Sequence, residues 1–433
     1  MLKLIVYTCI LLCPQTLFAG VSSYSEITPE AEASATVSGT RAEPKKKWTV
    51  MVFLSDKNDL NDIGESDLSA MAKVGSDDNI NIVTLKGNMD KSGKFGTVEL
   101  LYLLRPGLMG GSKSMLLRRF SKADMGDWRR LGDFIKVSKK LFPAEHYLLI
   151  VSSHGTGWVS FEKPVQGTAP ADSGSLDRGI AFDDETNNHI TVVELGAALK
   201  ETGGVDIYAS DACLMGDIAV DAQVSKYSKY IVGSEENVLN GYGYAGFLKI
   251  MANNPDISPE ALSASIVKTY FAQFTLGLIS STEGGGFPIK RSRGRTLSVV
   301  RSESVEPLAR GLKKFMAAAL ESRDTEVLKK AHKEVYRFAE SESADLYDFL
   351  RIINENTTDS RLAASALGVM NYIKGRAVTM NMADGKPSGR AHGIAVYLPN
   401  NVYNPDYDRT MFGKYTQWRS FAAYLIKLNK STP

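Results

Sequence analysis

The sequence predicts an α/β fold in which a mostly parallel central sheet is flanked by helices and followed by a mainly helical C-terminal region. Short apolar runs typical of buried strands alternate with amphipathic helical segments up to about residue 255. From residue 256 onward, most apolar residues recur at helical spacing. With 433 residues, 43% of them hydrophobic, the chain is long enough for two or three domains of ~100–200 residues each.

The first twenty residues have the layout of a secretory signal. Lys3 precedes an apolar run over residues 4–12, which is shorter than the ~20 residues of a membrane-spanning helix, and the small residue Ala19 follows. We predict a signal peptide over residues 1–19. The mature protein would then be exported to the periplasm, the cell surface or the medium, with no transmembrane segment.

Cysteine usage raises a functional question about one residue. Removal of the signal takes Cys9 and Cys13 with it, so Cys213 becomes the only thiol of the mature chain. A lone thiol in an exported protein is either a small buried hydrophobe or a reactive group. The alternative of a lipoprotein acylated at Cys13 is less favoured, because Leu12 is larger than the small residue usual before a lipidated cysteine.

The chain after the signal divides into three predicted segments. Residues 20–46 are rich in Ser, Thr, Ala and Glu and lack apolar periodicity, as in a flexible leader or pro-segment. Residues 47–255 carry the alternating pattern, and residues 256–433 are mainly helical. The predicted elements are strands at 48–54, 80–85, 97–104, 146–153, 205–210, 230–236 and 393–399, and helices near 60–71, 128–141, 192–199, from 214, 258–274 and 305–320.

The charge and histidine patterns exclude two classes of function. Lys plus Arg number 51 against 49 Asp plus Glu, a net charge of +2, so the sequence lacks the basic excess of a nucleic-acid-binding protein. His146, His189, His332 and His392 are scattered and show neither a paired spacing on one helix nor a cysteine pair. We therefore expect no zinc site.

Two residues with complementary chemistry each follow a predicted strand. His154 and Cys213 lie just past two successive strands, and functional groups of parallel sheets gather at the carboxyl ends of strands. A nearby imidazole, or a helix beginning at Leu214, would increase the thiolate fraction of Cys213. The N–H groups of Gly155 and Cys213 would form an oxyanion hole. The alternative is an ordinary loop histidine and a buried cysteine.

Several sequence blocks resemble the clostripain family of cysteine peptidases, which is related in fold to caspases, legumains and gingipains. The blocks occur in the family's order over roughly residues 47–250, and the later segment GIAVYLP at 393–399 resembles the family's distal strand. They are WTVMVFL at 48–54, PAEHY to SHGTGW at 143–158, the Asp pair at 183–184, DACLM at 211–215 and GSEE at 233–236.

The resemblance implies a caspase-like sheet and a Cys-His dyad that hydrolyses peptide bonds after Arg or Lys. By motif position, His154 is the dyad histidine, Cys213 the nucleophile and Gly155 an oxyanion amide. Asp211 matches the acidic residue that faces the basic side chain of P1, the residue on the acyl side of the cleaved bond. Glu235 and Glu236 are further candidates for that pocket. The alternative role of Asp211 is a helix N-cap, which would leave the P1 preference open.

The family also implies maturation and, in some members, calcium. Lys163 and Arg178 fall in a loop over residues 159–178 that is rich in Pro, Gly and small polar residues, so we expect self-cleavage there. We expect no required cofactor. Calcium stays open as an alternative, with oxygen ligands from residues 183–185.

The sequence is therefore compatible with two classes of function. The first is an exported cysteine endopeptidase that acts on proteins or peptides with basic P1 residues. The second is a non-catalytic exported binding or adhesion protein on the same scaffold, with the helical C-terminal part as its interaction surface. The presence of His154, Gly155 and Cys213 together favours the first.

Overall fold

The computed structural model describes residues 45–90, 92, 94–106, 113–158, 179–275 and 294–430. Its strands are β1 Lys46–Leu54, β2 Ile80–Met89, β3 Phe95–Leu104, β4 Lys113–Phe120, β5 Ala144–Ser152, β6 Ile180–Asp183, β7 Asn188–Ile190, β8 Ile207–Asp211, β9 Tyr230–Gly233, β10 Gly294–Arg301, β11 Ser343–Asp345, β12 Val378–Gly385 and β13 Ala395–Tyr397. The helices are α1 Asn61–Ala72, α2 Trp128–Leu141, α3 Val192–Glu201, α4 Ile218–Val224, α5 Tyr244–Asn253, α6 Pro259–Thr275, α7 Val305–Glu321, α8 Thr325–Glu334, α9 Leu346–Asn356, α10 Ser360–Tyr372, α11 Met411–Thr416 and α12 Trp418–Lys430.

Nine of these strands form one sheet in the order β12-β10-β9-β8-β5-β1-β2-β3-β4. The five central strands, β9, β8, β5, β1 and β2, are mutually parallel. Antiparallel pairs extend the sheet at both edges, through β3 and β4 on one side and β10 and β12 on the other. The predicted α/β class with a mostly parallel, helix-flanked centre is confirmed.

Strand β1 shows why the sheet is covered on both faces. Every residue from Trp48 to Leu54 is buried. Successive side chains of a strand point to opposite faces. Met51 and Phe53 accordingly join one apolar cluster, and Val50 and Val52 join another. A strand buried on both sides has a continuous apolar sequence, which is the pattern from which β1 was predicted.

The C-terminal region packs against the same sheet. Helices α7 to α10 and α12 contribute to the apolar cluster that contains Met51 and Phe53, while α1, α5 and α6 cover the other face. Strand β10 pairs with β9, and β12 pairs with β10, so the central sheet draws strands from both sides of the predicted boundary at residue 255. The division into domains at that position stays a prediction.

One predicted element is wrong. The helix expected to begin at Leu214 begins at Ile218, and Asp217 caps it by accepting a hydrogen bond from the Ala219 N–H at 2.7 Å. Leu214 has a φ of 62°, in the left-handed region, so a turn separates Cys213 from the helix. The nucleophile candidate therefore lies before this turn and not at a helix N-terminus.

Other predictions fall beyond the described residues. The signal peptide 1–19, nearly all of the leader 20–46, and the processing loop with Lys163 and Arg178 lie outside them. Strand β1 begins at Lys46, at the end of the predicted leader. Within the described part of the chain, no helix has the length and apolarity needed to cross a membrane.

Candidate active site

The pairing of β5 with β8 brings His154 and Cys213 to one end of the sheet. Ser152 and Asp211, the last residues of the two strands, are register partners. His154 and Cys213 therefore each follow a paired position by two residues. Both line a cavity of about 70 Å³ at the carboxyl ends of the strands, as expected for ligand sites of parallel sheets.

Three segments of chain and one neighbouring loop enclose this cavity. The β1–α1 connection, the end of β5 and the end of β8 supply most of its wall, and the segment after β9 closes it. The lining residues are Asp56, Asp59, Leu60, Ile63, Ser152, Ser153, His154, Asp211, Ala212, Cys213, Val238, Leu239, Asn240 and Gly241.

Glycine at position 155 allows the segment that follows β5 to approach the segment that carries Cys213. A Cβ atom at Gly155 would lie 2.6 Å from the Cys213 carbonyl oxygen and 2.7 Å from the Ala212 Cβ. Gly155 also forms an isolated antiparallel bridge with Ile180, which fixes this backbone. The same imaginary Cβ lies 3.1 Å from the Cys213 nitrogen, so the backbone at Gly155 runs beside the amide of Cys213. A shared oxyanion hole requires two neighbouring backbone N–H groups, and the closeness of these two segments is compatible with that requirement.

The Cys213 side chain is half-buried and held by the segment after β9. The Val238 N–H donates to Sγ at 3.3 Å, and Sγ lies 4.0 Å from the Val238 carbonyl oxygen. Burial raises the pKa of the Cys213 thiol to about 11. The nearby carboxylates of Glu236 and Asp211 also raise this pKa, whereas the hydrogen bond from Val238 lowers it. The thiol is therefore protonated at neutral pH in this arrangement.

The imidazole of His154 has an acidic neighbour that the sequence did not indicate. His154 Nε2 lies 2.5 Å from Asp59 Oδ1, and the two side chains are 34% and 80% exposed. The ring also meets Phe182 edge-on, with centroids 6.5 Å apart. Among the described contacts, the imidazole is partnered by Asp59 and the thiol by Val238, and not by each other. Catalytic hydrogen bonds often tighten only when substrate binds.

Asp184 adds to the negative charge around His154. Partial burial raises the pKa of the Asp184 carboxyl, whereas the interaction with His154 lowers it and Asp59 raises it. Two carboxyl groups, from the β1–α1 connection and from the end of β6, thus lie near one imidazole.

Asp211 lies in the cavity wall and does not cap a helix. It is 4% exposed, and its Oδ2 accepts hydrogen bonds from the Tyr242 N–H at 3.1 Å and the Tyr244 hydroxyl at 2.8 Å. Burial raises the pKa of Asp211 to about 7, while these two donors lower it. The alternative N-cap role belongs to Asp217.

The structure does not bring Glu235 and Glu236 into the cavity. The Glu235 carboxylate accepts the Gly393 N–H at 3.0 Å, and burial together with the neighbouring Asp345 raises its pKa. Glu236 accepts from the Ala339 N–H at 3.2 Å. Both side chains join the segment after β9 to the C-terminal region, which gives them a structural role.

Two of the three carboxylates expected as calcium ligands, those of Asp183 and Glu185, already face a buried ammonium group. Lys57 Nζ lies 3.4 Å from Asp183 Oδ2 and forms an ion pair with Glu185. Asp183 also accepts backbone N–H groups from Met125, Glu185 and Thr186. This donor set does not fit calcium, because a lysine stands in the place of the cation. Across the described residues, no group of three or more His, Cys, Asp or Glu side chains is arranged to hold a metal ion.

A parallel α/β sheet with cysteine and histidine at neighbouring strand ends is the arrangement of caspase-like cysteine peptidases. The family model of the clostripain family matches residues 52–427, so the chain belongs to this family of cysteine peptidases. The resemblance predicted from the sequence blocks is confirmed.

Individual relatives agree with this assignment. The chain is 28% identical to clostripain of Hathewaya histolytica over 216 residues, which are 44% of this chain and 38% of that protein. The match thus spans well under half of the curated relative. A secreted C11 cysteine protease from Bacteroides thetaiotaomicron, solved with an irreversible peptide inhibitor, covers 88% of this chain and 99% of its own at 18% identity and a TM-score of 0.62. An inactive zymogen C11 protease from Parabacteroides distasonis covers 86% and 99% at 18% identity and a TM-score of 0.63.

Proposed function

We propose that this protein is a cysteine endopeptidase in which Cys213 is the nucleophile and His154 the general acid and base. The observation that carries the proposal is the shared cavity in which the two side chains follow register-paired strand ends. The position of the Gly155 backbone beside the Cys213 amide supports the second part of the proposal, an oxyanion site formed by the two N–H groups.

The proposed mechanism is covalent acyl transfer. His154 accepts the thiol proton as Sγ attacks the carbonyl carbon of the scissile bond, and the N–H groups of Gly155 and Cys213 donate to the oxyanion. The imidazolium then protonates the leaving amine, which leaves a thioester on Cys213. Water, deprotonated by His154, hydrolyses the thioester and restores the thiol. In this mechanism Asp59 accepts a hydrogen bond from His154 Nε2–H, which leaves Nδ1 as the ring nitrogen that exchanges protons with the reacting groups.

We further propose that cleavage follows Arg or Lys, with Asp211 as the carboxylate that receives the basic side chain. Asp211 lines the same cavity as Cys213, and its Oδ2 is oriented by Tyr242 and Tyr244. A carboxylate in a desolvated pocket is a strong partner for a guanidinium or ammonium group.

Export and self-processing complete the proposal. Support for export comes from the signal-like N-terminus and from the Bacteroides neighbour, which is a secreted protease. Support for a zymogen comes from the Parabacteroides neighbour, which is an inactive zymogen, and from the Cys213 thiol, whose described partner is Val238 and not His154. Lys163 and Arg178 are the proposed processing positions.

Hydrolysis of matched reporter peptides tests the proposal. Wild type and Cys213→Ala protein are compared on peptides that differ only in P1, as Arg, Lys, Asn or Asp. We expect wild type to cleave the Arg and Lys peptides and the variant to cleave none, with equal thermal unfolding of the two proteins. Equal behaviour of both on every peptide would instead favour the non-catalytic binding protein.

A further inference from the structure

Two buried carboxyl groups close to Asp211 receive no hydrogen bond from any residue that the structure describes. Asp56 and Asp67 are 1% and 7% exposed, and the Oδ2 atom of each is buried without a partner among the described residues. Asp211, by contrast, receives two hydrogen bonds. Burying a carboxyl group without a partner is unfavourable, so such groups in a native protein call for a functional explanation.

The positions of the two groups relative to the cavity differ. Asp56 lines the cavity together with Asp211, whereas Asp67 lies behind the wall residue Gly241, whose imaginary Cβ would be 2.7 Å from Asp67 Oδ2. Asp56 fits against helix α1 only because residue 64 is glycine, since a Cβ there would lie 1.7 Å from Asp56 Oδ2. The fold therefore makes room for a carboxyl group at the cavity wall.

The charges around this group do not neutralise it. Lys86 is the cation whose charge acts on Asp56, but the Lys86 Nζ forms its direct ion pair with Glu65 at 2.9 Å. Lys86 lowers the pKa of Asp56, whereas the negative charges of Glu65 and Asp211 raise it. The charges of Asp211 and Asp56 likewise add to the effect of burial in raising the pKa of Asp67. Burial raises the pKa of Asp56 to about 8. A cationic group bound in the cavity would favour the ionised forms of Asp56, Asp67 and Asp211.

We propose that Asp56 is a second substrate-binding carboxylate, which receives the cationic end of the P1 side chain together with Asp211, and that Asp67 supports it from behind. The inference rests on the proposed function and extends it, because it assigns basic specificity to two carboxylates from different strand ends. Asp56 lies two residues after the end of β1, and Asp211 is the last residue of β8. A planar guanidinium has donors on two edges and suits two acceptors at once.

Paired substrates isolate the charge contribution. Peptides with Arg or citrulline at P1 have side chains of similar length, but only Arg is charged, so the ratio of their kcat/KM values reports the interaction with the cation. We expect Asp56→Asn to lower this ratio by roughly 10- to 100-fold, as for loss of a hydrogen bond to a charged group, and Asp67→Asn to lower it less. Asp62→Asn, which removes an exposed carboxylate from the same helix as Asp67, is the matched control and should leave the ratio unchanged.

A binding measurement extends the test beyond turnover. Agmatine, a guanidinium compound, should raise the unfolding temperature of Cys213→Ala protein, because a ligand that binds only the folded state stabilises it. The additional substitution Asp56→Asn should abolish the agmatine shift without lowering the unfolding temperature of the free protein. A purely structural Asp56 would give the reverse, a lower unfolding temperature with the agmatine shift retained.

The outcomes separate this inference from the function on which it rests. An unchanged Arg-to-citrulline ratio in Asp56→Asn protein, with wild type still preferring Arg, would overturn the role of Asp56 alone. Absence of any Arg or Lys preference in wild type would overturn the basic pocket as well. Loss of the agmatine shift together with a lower ratio supports the proposal.

Discussion

Ser152 and Asp211 are paired across the parallel strands β5 and β8, and the histidine and the cysteine of the candidate site each follow one of them by two residues. The register of the sheet therefore sets which residues meet at its edge. A one-residue slip of either strand would turn the side chains of that strand to the opposite faces. The site depends on the apolar pattern that fixes this register.

Replacement of Gly155 by alanine should abolish activity and lower stability. The new Cβ would lie 2.6 Å from the Cys213 carbonyl oxygen, so the backbone next to the nucleophile must shift. Gly132, in α2, has no atom within 4 Å of an imaginary Cβ and is the matched control. Gly132→Ala should retain activity and gain up to about 1 kcal/mol from helix propensity. Peptidase assays and denaturant unfolding of the two variants check this, and similar effects of both substitutions would contradict the close approach.

Removal of the Asp59 carboxylate should lower kcat by about 2- to 10-fold with little change in KM, because a partly exposed hydrogen bond that orients His154 contributes modestly. Asp59→Asn should retain more activity than Asp59→Ala, since the amide oxygen still accepts from Nε2. Steady-state kinetics on an Arg peptide measure both parameters. Asp62→Ala, which removes an exposed carboxylate, is the control. If Asp62→Ala lowered kcat as much as Asp59→Ala does, the proposed role of Asp59 in positioning His154 would be contradicted.

Buried carboxyl groups near the cavity should make the fold less stable as pH rises. Burial raises the pKa of Asp56 from an ordinary value of 3.8 to about 8. The folded protein therefore holds a proton that the unfolded chain releases, and this contribution to stability is lost as pH rises from about 4 to about 8. We compare the unfolding temperatures of Cys213→Ala protein with and without the additional substitution Asp56→Asn. The unfolding temperature of the Asp56→Asn protein, relative to that of Cys213→Ala alone, should increase as pH rises across this range. A difference independent of pH would contradict the raised pKa.

Processing at the predicted loop has its own test. If the enzyme matures by cutting after Lys163 or Arg178, then a Lys163→Gln/Arg178→Gln protein should remain a single chain while wild type is nicked. The Cys213→Ala protein should also remain intact, and added wild-type enzyme should cut it at the same positions. Intact mass spectrometry measures all three, and normal maturation of the double variant would exclude these positions.

The sequence predicted the parts of the fold that depend on strong local patterns. Strand β1 is apolar throughout because it is buried on both faces, and the helix at Trp128–Leu141 has a clear apolar stripe. The antiparallel edges were not predicted, since the pairing of β10 and β12 joins residues about 90 positions apart. The wrong helix start at Leu214 arose because a left-handed non-glycine residue leaves no compositional signal, although Asp217 is a standard N-cap residue.

The site was predicted only in part for a similar reason. His154 and Cys213 are rare residue types at strand ends and were therefore visible. Asp56 and Asp59 follow strand β1 directly, but carboxylates in a polar connection are common, and only the packing of β1 beside β5 brings them to the cavity. The signal that could have found them is the position of β1 in the same parallel sheet, whose carboxyl end points to the same crevice.

Covalent trapping tests the central claim most directly. A peptide chloromethyl ketone with Arg at P1 is added to protein that begins at residue 20, in which Cys213 is the sole cysteine, and the adduct is located by mass spectrometry. We expect one stoichiometric adduct on Cys213, much slower labelling in His154→Ala protein and none in Cys213→Ala protein. Labelling at another residue, or labelling of Cys213 at the same rate without His154, would contradict a nucleophile activated by this imidazole.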